Sequence, residues 1–252
     1  MNLAVIPTAH DEAWRYSDHE ALAKVWPQGI AEPEHITVPV GESAAHHLIQ
    51  AAEDGEIVIR DYVIDVADGA SCQFHILNMG GAFGRVALDV RLGNGAHFEL
   101  GGAILGMGAQ TLEIVTTVNH AQPNATSRQT IRSVLAQKAT GSFLGSIKVA
   151  RHAQKTDAEQ SVKAMLMDRT ATANAKPELE IFADDVKCAH GATVGELDKA
   201  ALFYMESRGM EPGLAKRVML RAFIAGVFDD MADEAVKQEM EQAALAKLES
   251  MA

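Results

Sequence analysis

Leu179 to Gly195, L-E-I-F-A-D-D-V-K-C-A-H-G-A-T-V-G, ends a β-rich body and opens onto a helical tail. If Val186 to His190 is extended, side chains alternate across the strand. Val186, Cys188 and His190 then share one face, and Lys187 and Ala189 take the other. Cysteine thiolate suits iron–sulfur clusters and histidine can replace it on an iron, so the pair offers two candidate metal ligands from one rigid strand. Two ligands do not complete a site. A protonated His190 beside Cys188 is also expected to lower the thiol pKa. The same residues fit a plainer reading, in which Cys188 is a small buried hydrophobe and His190 a hydrogen-bonded turn residue before Gly191. Spacing alone does not choose between them. Asp184-Asp185 is an adjacent carboxylate pair, and alternation sends its members to opposite faces.

Working outward, residues 35–195 carry short β-branched runs such as I-T-V-P-V, E-I-V-I-R-D-Y-V-I-D-V and R-V-A-L-D-V-R-L. Asp54-Gly55, Asp68-Gly69, Gly80-Gly81 and Asn94-Gly95 punctuate them at the spacing of a sandwich, a barrel or a β-solenoid. Asn-Gly taken alone favours an antiparallel hairpin. No clean period is visible, yet apolar segments recur at Phe143–Val149, Ser161–Met167 and Glu178–Val186, a cadence that suits successive solenoid coils. His46-His47 reads as a polar turn or short helix. Residues 1–34 read as a lead-in that packs on this body, anchored by Trp14 and Trp26.

After Gly195 the pattern turns helical. Leu197, Ala201 and Tyr204-Met205 form one stripe, with Gly209 a plausible stop after Arg208. Pro212 is placed to open a second helix through Leu214, Val218, Phe223 and Val227, and Val236, Met240, Ala244 and Leu248 mark a third. Their Met and Phe content reads as core or as partner-facing surface, so residues 196–252 are expected to form a helical domain that carries an interaction.

The chain has 252 residues, a formal net charge of -12 and two cysteines, Cys72 and Cys188. The charge argues against nonspecific binding to nucleic acid or to anionic membranes. Two cysteines make no disulfide framework, no apolar run spans a bilayer, and Pro7 interrupts any leader-like segment, so a reducing cytoplasm is the default. Gly101–Thr111, G-G-A-I-L-G-M-G-A-Q-T, has phosphate-loop spacing, but Met107 and Gly108 stand where Lys and Ser or Thr are needed. Tight turns between strands are the expected reason for these glycines. Cys72 and His75 should fall on opposite strand faces, and a Cys188–His190 nucleophile would need an oxyanion hole that the sequence does not reveal.

Several stretches together resemble one family. N-H-A-Q-P-N-A-T-S at Asn119–Ser127, F-L-G-S-I-K-V at Phe143–Val149, P-E-L-E-I-F-A-D-D-V-K-C-A-H-G-A-T-V-G at Pro177–Gly195 and A-L-F-Y-M-E-S-R-G at Ala201–Gly209 resemble the SufB/SufD family of iron–sulfur cluster assembly scaffolds, the SufD branch in particular. D-E-A-W-R-Y at Asp11–Tyr16 is similar to the family's lead into its β-core. The resemblance implies a mainly β fold, a right-handed parallel β-helix followed by a C-terminal α-helical domain that docks the SufC ABC-type ATPase. It implies a noncatalytic scaffold that pairs with SufB through β-helix edges, or with itself when alone, and that holds a transient iron–sulfur cluster at the SufB interface. His190 matches the histidine proposed to help hold that cluster, and Cys188 matches its neighbour. The chain begins close to the core motif, so the role of the longer N-terminal region of larger relatives is open here. The rival reading is an independent β-helix enzyme acting on a small molecule or polysaccharide, which would need a groove lined with carboxylates.

Overall fold

A computed structural model describes residues 5–251. Residues 1–4, on which the reading of a missing leader partly rests, and residue 252 lie outside it. Twelve strands follow a short lead-in: β1 (Glu34–Val38), β2 (Ser43–Gln50), β3 (Ile57–Val66), β4 (Ser71–Asn78), β5 (Phe83–Leu92), β6 (His97–Gly106), β7 (Thr111–His120), β8 (Thr126–Leu135), β9 (Thr140–Val149), β10 (Asp157–Leu166), β11 (Thr172–Ile181) and β12 (Lys187–Glu196). Odd strands stack in order as one six-stranded sheet, here sheet A, and even strands as another, sheet B. Every ladder is parallel and joins strands two apart in sequence, so each strand pair is one coil of a β-solenoid. Asn94-Gly95 therefore turns a corner between sheets rather than closing an antiparallel hairpin. A hairpin brings neighbouring strands into one sheet, whereas here the chain must leave sheet A for sheet B.

Alternation decides what fills the coil. Residues such as Ile64, Phe74, Val90, Leu100, Ile114 and Phe143 point between the sheets and form one continuous core. The corners are pinned by backbone bonds running along the stack. The N–H groups of Gly41, Gly69, Gly95, Asn124 and Lys155 donate to the carbonyls of Asp68, Asn94, Pro123, Gln154 and Asp185. All five donors have positive φ, a conformation glycine adopts freely and Asn124 and Lys155 adopt against their preference. His46-His47 lies inside strand β2, not in a turn or helix, because both its ladder bonds and its alternation continue those of β4.

The lead-in packs on the outer face of sheet A. A 3-10 turn at Glu12–Trp14 and helix α1 (His19–Val25) place Trp14 and Leu22 against Ile59 and Phe83. The side chain of Asp18 accepts the Ala21 N–H at 2.9 Å and caps the helix. Trp14 lies edge-on to Trp26, with centroids 6.0 Å apart, and takes the Arg85 guanidinium at 3.8 Å over its ring, so the tryptophans do anchor this segment.

Three helices follow β12: α2 (Lys199–Ser207), α3 (Pro212–Ala225) and α4 (Glu234–Met251). Only Leu197 and Asp198 separate β12 from α2. Pro212 opens α3 as its spacing predicts, capped by the Glu211 carboxylate. Helices α3 and α4 lie along the outer face of sheet B, where Leu220, Phe228, Met240 and Leu248 meet Leu77, Ala103, Leu105 and Val134. Each such side chain contributes about 1.5–3 kcal/mol on full burial. Gly101 and Gly102 are in mid-strand in β6, so the expected tight turns do not explain them. A Cβ on Gly101 would lie 2.2 Å from the Val227 carbonyl oxygen and 2.5 Å from His75 Cδ2, so the glycine lets the connection after α3 touch the sheet.

Candidate functional site

Strand β12 is the last of sheet B and, among the described residues, pairs only with β10. Register sets Cys188 beside Ala158 and His190 beside Gln160. Ala158 and Gln160 face the solenoid interior, at 2% and 1% exposure, so Cys188 and His190 face the same interior from its open end. The same-face reading of the pair holds, although the strand starts at Lys187, one residue after Val186. Cys188 is half-buried and packs against the core, and His190 is exposed at the rim. Along the strand they are about 6.6 Å apart. Facing them from β11 are the interior positions Ala173, Ala175 and Leu179.

Burial pushes the Cys188 thiol up, a hydrogen bond with the Ala158 backbone opposes that, and Asp157 adds to it. The direction is opposite to the lowering expected from an adjacent imidazolium. Burial therefore favours the Cys188 thiol over the thiolate in the isolated chain, and the thiol is the poorer nucleophile and ligand. Among the described residues no three His, Cys, Asp or Glu side chains are placed to share a metal ion. The rim brings two candidate ligands together without enclosing a site.

The other candidates are placed apart. Cys72 is interior and its thiol is pushed up to about 11 by burial, while His75 points outward to the helices, with burial pulling it down to about 4. Asp184 and Asp185 sit on the corner before β12 rather than in a strand. Asp185 there pairs with Lys155 and its backbone N–H donates to Gln154 Oε1 at 2.9 Å, so it is a corner fastener. A cavity of about 470 Å³ on the outer face of sheet A is lined by Glu12, Glu178, Glu180 and Lys148 among others. Lys176 bonds to both Glu12 and Glu178, which neutralises two of its carboxylates.

Sequence reasoning passed over Gln160. A signal was present: the interior positions of β10 are otherwise Ala158, Val162, Ala164 and Leu166, and one carboxamide interrupts that apolar series. Both of its side-chain polar atoms are buried without a partner.

The family "SUF system FeS cluster assembly, SufBD core domain" matches residues 31–223, which runs from the lead-in through all twelve strands into α3. This chain belongs to the SufB/SufD family. Among curated relatives it is 34% identical over 211 residues to "Iron-sulfur cluster assembly protein SufD" of Escherichia coli, covering 83% of this chain and 47% of that protein. It is 30% identical over 148 residues to the protein of the same name in Bacillus subtilis, covering 59% and 34%. It is 32% identical over 165 residues to "Protein ABCI7, chloroplastic" of Arabidopsis thaliana, covering 65% and 35%. The names of the E. coli and B. subtilis relatives place the chain on the SufD branch. It spans about half the length of the E. coli relative and less of the others. Among the described residues no helix is long and apolar enough to cross a membrane.

Proposed function

We propose that this chain is a SufD-like scaffold subunit that pairs with a SufB-like paralogue and a SufC-like ABC ATPase to build a nascent iron–sulfur cluster and pass it on. The observation that carries the reading is the open rim at β12, where Cys188 and His190 face an interior that no further coil closes among the described residues. A parallel edge strand is a template for another chain's strand, so a SufB-like coil added there would cover both groups and supply the missing ligands. His190 is the ligand offered by this chain and Cys188 an auxiliary. A neutral imidazole ligates iron without the negative charge of a thiolate, which favours a cargo that must leave.

The helical residues 196–252 are read as the ATPase-docking domain. Helix α2 buries none of its residues, and Phe203, Tyr204, Leu214 and Val218 stay exposed. Without a lysine-bearing phosphate loop, ATP hydrolysis falls to the partner. When alone, the chain is free to pair with a second copy through the same edge, in a cytoplasmic setting that keeps Cys72 and Cys188 reduced.

Anaerobic copurification of the chain with its SufB-like and ATPase partners tests this. His190→Ala should leave the complex assembled but lower its iron and sulfide several-fold, and Cys188→Ser should have the smaller effect. Unchanged iron and sulfide would remove His190 from the site, and loss of the complex would make its role structural.

A further inference from the structure

A polar column runs through the mainly apolar interior and ends at the rim. Thr116 Oγ1 on β7 donates to Gln129 Oε1 on β8 at 2.7 Å. Gln129 is in register with Gln160 on β10, and Gln160 with His190 on β12, so the two carboxamides and the imidazole occupy one level of three successive strands. Adjacent strands lie about 4.8 Å apart, which lets side chains stacked in register reach one another. Gln129 and Gln160 are each 1% exposed. Gln160 Nε2, Gln160 Oε1 and Gln129 Nε2 have no hydrogen-bond partner among the described residues.

Desolvating a carboxamide without hydrogen bonds is unfavourable for each group left unpaired. Packing does not excuse this one, because Gly145 opposite has no side chain and its Cβ position lies 2.6 Å from Gln160 Nε2. The space that glycine leaves is shared by the carboxamide and the edge of the Phe143 ring. Among the described residues, its neighbours in register are Gln129 toward the body and His190 toward the rim, both polar.

We propose that Gln160 is a positioning residue for His190. Its Oε1 accepts the N–H of the imidazole, and its Nε2 donates to the second lone pair of Gln129 Oε1, the first being taken by Thr116. A carboxamide presents either end with little change of shape, so the arrangement is reached by turning the Gln160 amide about its terminal bond. The bond fixes the tautomer of His190 and turns the other ring nitrogen, lone pair free, to the open rim. Ligating histidines generally have their second nitrogen held in this way, and the holding group tunes both orientation and basicity. The inference rests on the reading of His190 as a ligand only for its use, not for the bond itself.

The test uses the full chain with 15N-labelled histidine, followed by long-range 1H–15N correlations at pH 8. One tautomer of His190 should dominate, and its N–H proton should show a nuclear Overhauser contact with the Gln160 side chain. In Gln160→Met, which keeps length but not hydrogen bonding, the tautomers should relax toward the mixture of a free imidazole. Gln160→Glu, which keeps the acceptor, should restore the single form. Equal tautomer populations in the native chain and Gln160→Met, or a proton on the outward nitrogen, would overturn the proposal. In the anaerobic complex, Gln160→Met should lower iron content several-fold. If the tautomer changes as expected while His190→Ala leaves iron untouched, the bond stands and the ligand reading fails.

Discussion

Arg85 and Glu113 meet at 2.8 Å on the outer face of sheet A, and both are almost wholly removed from solvent by the lead-in segment. Ser17 donates to the same carboxylate oxygen at 2.9 Å, and Trp14 covers the guanidinium. Burial nonetheless holds the Glu113 carboxyl above its usual range, with Arg85 pulling the other way. Removing one partner of a buried pair costs roughly 3–5 kcal/mol, whereas replacing both with apolar groups is often nearly neutral.

Arg85→Met should therefore lower stability by about 3 kcal/mol or more, and Arg85→Met with Glu113→Met by much less. The deficit of the single variant should be smaller at pH 5 than at pH 8. A carboxyl whose folded pKa is raised binds more protons folded than unfolded, so its stability contribution falls as pH rises. Urea melts at the two pH values read both effects. A double variant as weak as the single would show that the segment is held by packing instead.

Two buried histidines set the acid side of stability. His75 and His120 are each pulled down to about 4 by burial, with His120 Nε2 at 2.9 Å from Ser127 Oγ inside the coil and His75 under the connection after α3. A base with a depressed folded pKa is neutral when folded and takes up a proton on unfolding below about 6.5. Stability is then fully present above pH 6.5 and is lost as pH falls toward 4, by up to about 3 kcal/mol for each group. Thermal melts from pH 7 to pH 4.5 should show the fall, and His120→Gln should flatten part of it. A flat profile in the native chain would contradict the burial of these rings.

The ATPase-docking reading makes its own demand. Phe203 is 72% exposed and Tyr204 59%, and α2 makes its principal contacts with α3. Phe203→Ser with Tyr204→Ser should leave the melting temperature of the isolated chain within a degree or two, since surface substitutions move stability by roughly 0.5 kcal/mol or less. Affinity for the ATPase, read by calorimetry, should fall at least tenfold. Point variants suit this better than truncation, because α3 and α4 cover Leu77, Leu105 and Val134. Unchanged affinity would put the docking surface elsewhere.

Pairing at the rim is tested by a backbone donor. The Lys187 N–H bonds back to the Thr156 carbonyl, and parallel strands alternate their bonding side, so in β12 the N–H groups of Cys188, His190, Ala192 and Val194 point to the free edge. Ala192→Pro removes one outward donor while sparing the ladder to β10. Association with a SufB-like partner, or self-association in light scattering, should weaken while the circular dichroism of the isolated chain is kept. Full association with an intact fold would mean that β12 is not the joining edge.

Much of this was legible in the residues. The strand that carries Cys188 and His190, the anchoring role of Trp14 and the opening of α3 at Pro212 follow from alternation, aromatic bulk and fixed proline geometry. The solenoid period was hidden because Ile57 sits beside Phe83 but Thr140 beside Thr172, so a coil takes 26 residues in one place and 32 in another. Its punctuation also fades. Gly69 and Gly95 mark corners, whereas Asn124 and Lys155 hold the equivalent positions later with the same positive φ and no glycine to announce them. Gly101 misled for the opposite reason, since what demands it is Val227, far along the chain. Gln160 gains its meaning only from register, which no local pattern encodes.

Leu197 and Asp198 are all that joins β12 to α2, and two extended residues reach no more than about 7 Å. The first helix of the tail is thus on a very short leash. A neighbour that drags α2 beyond that reach must either strip β12 from β10, starting at Glu196, or carry the strand along with it. Force applied to the helix arrives at the strand bearing His190 with almost no slack to absorb it.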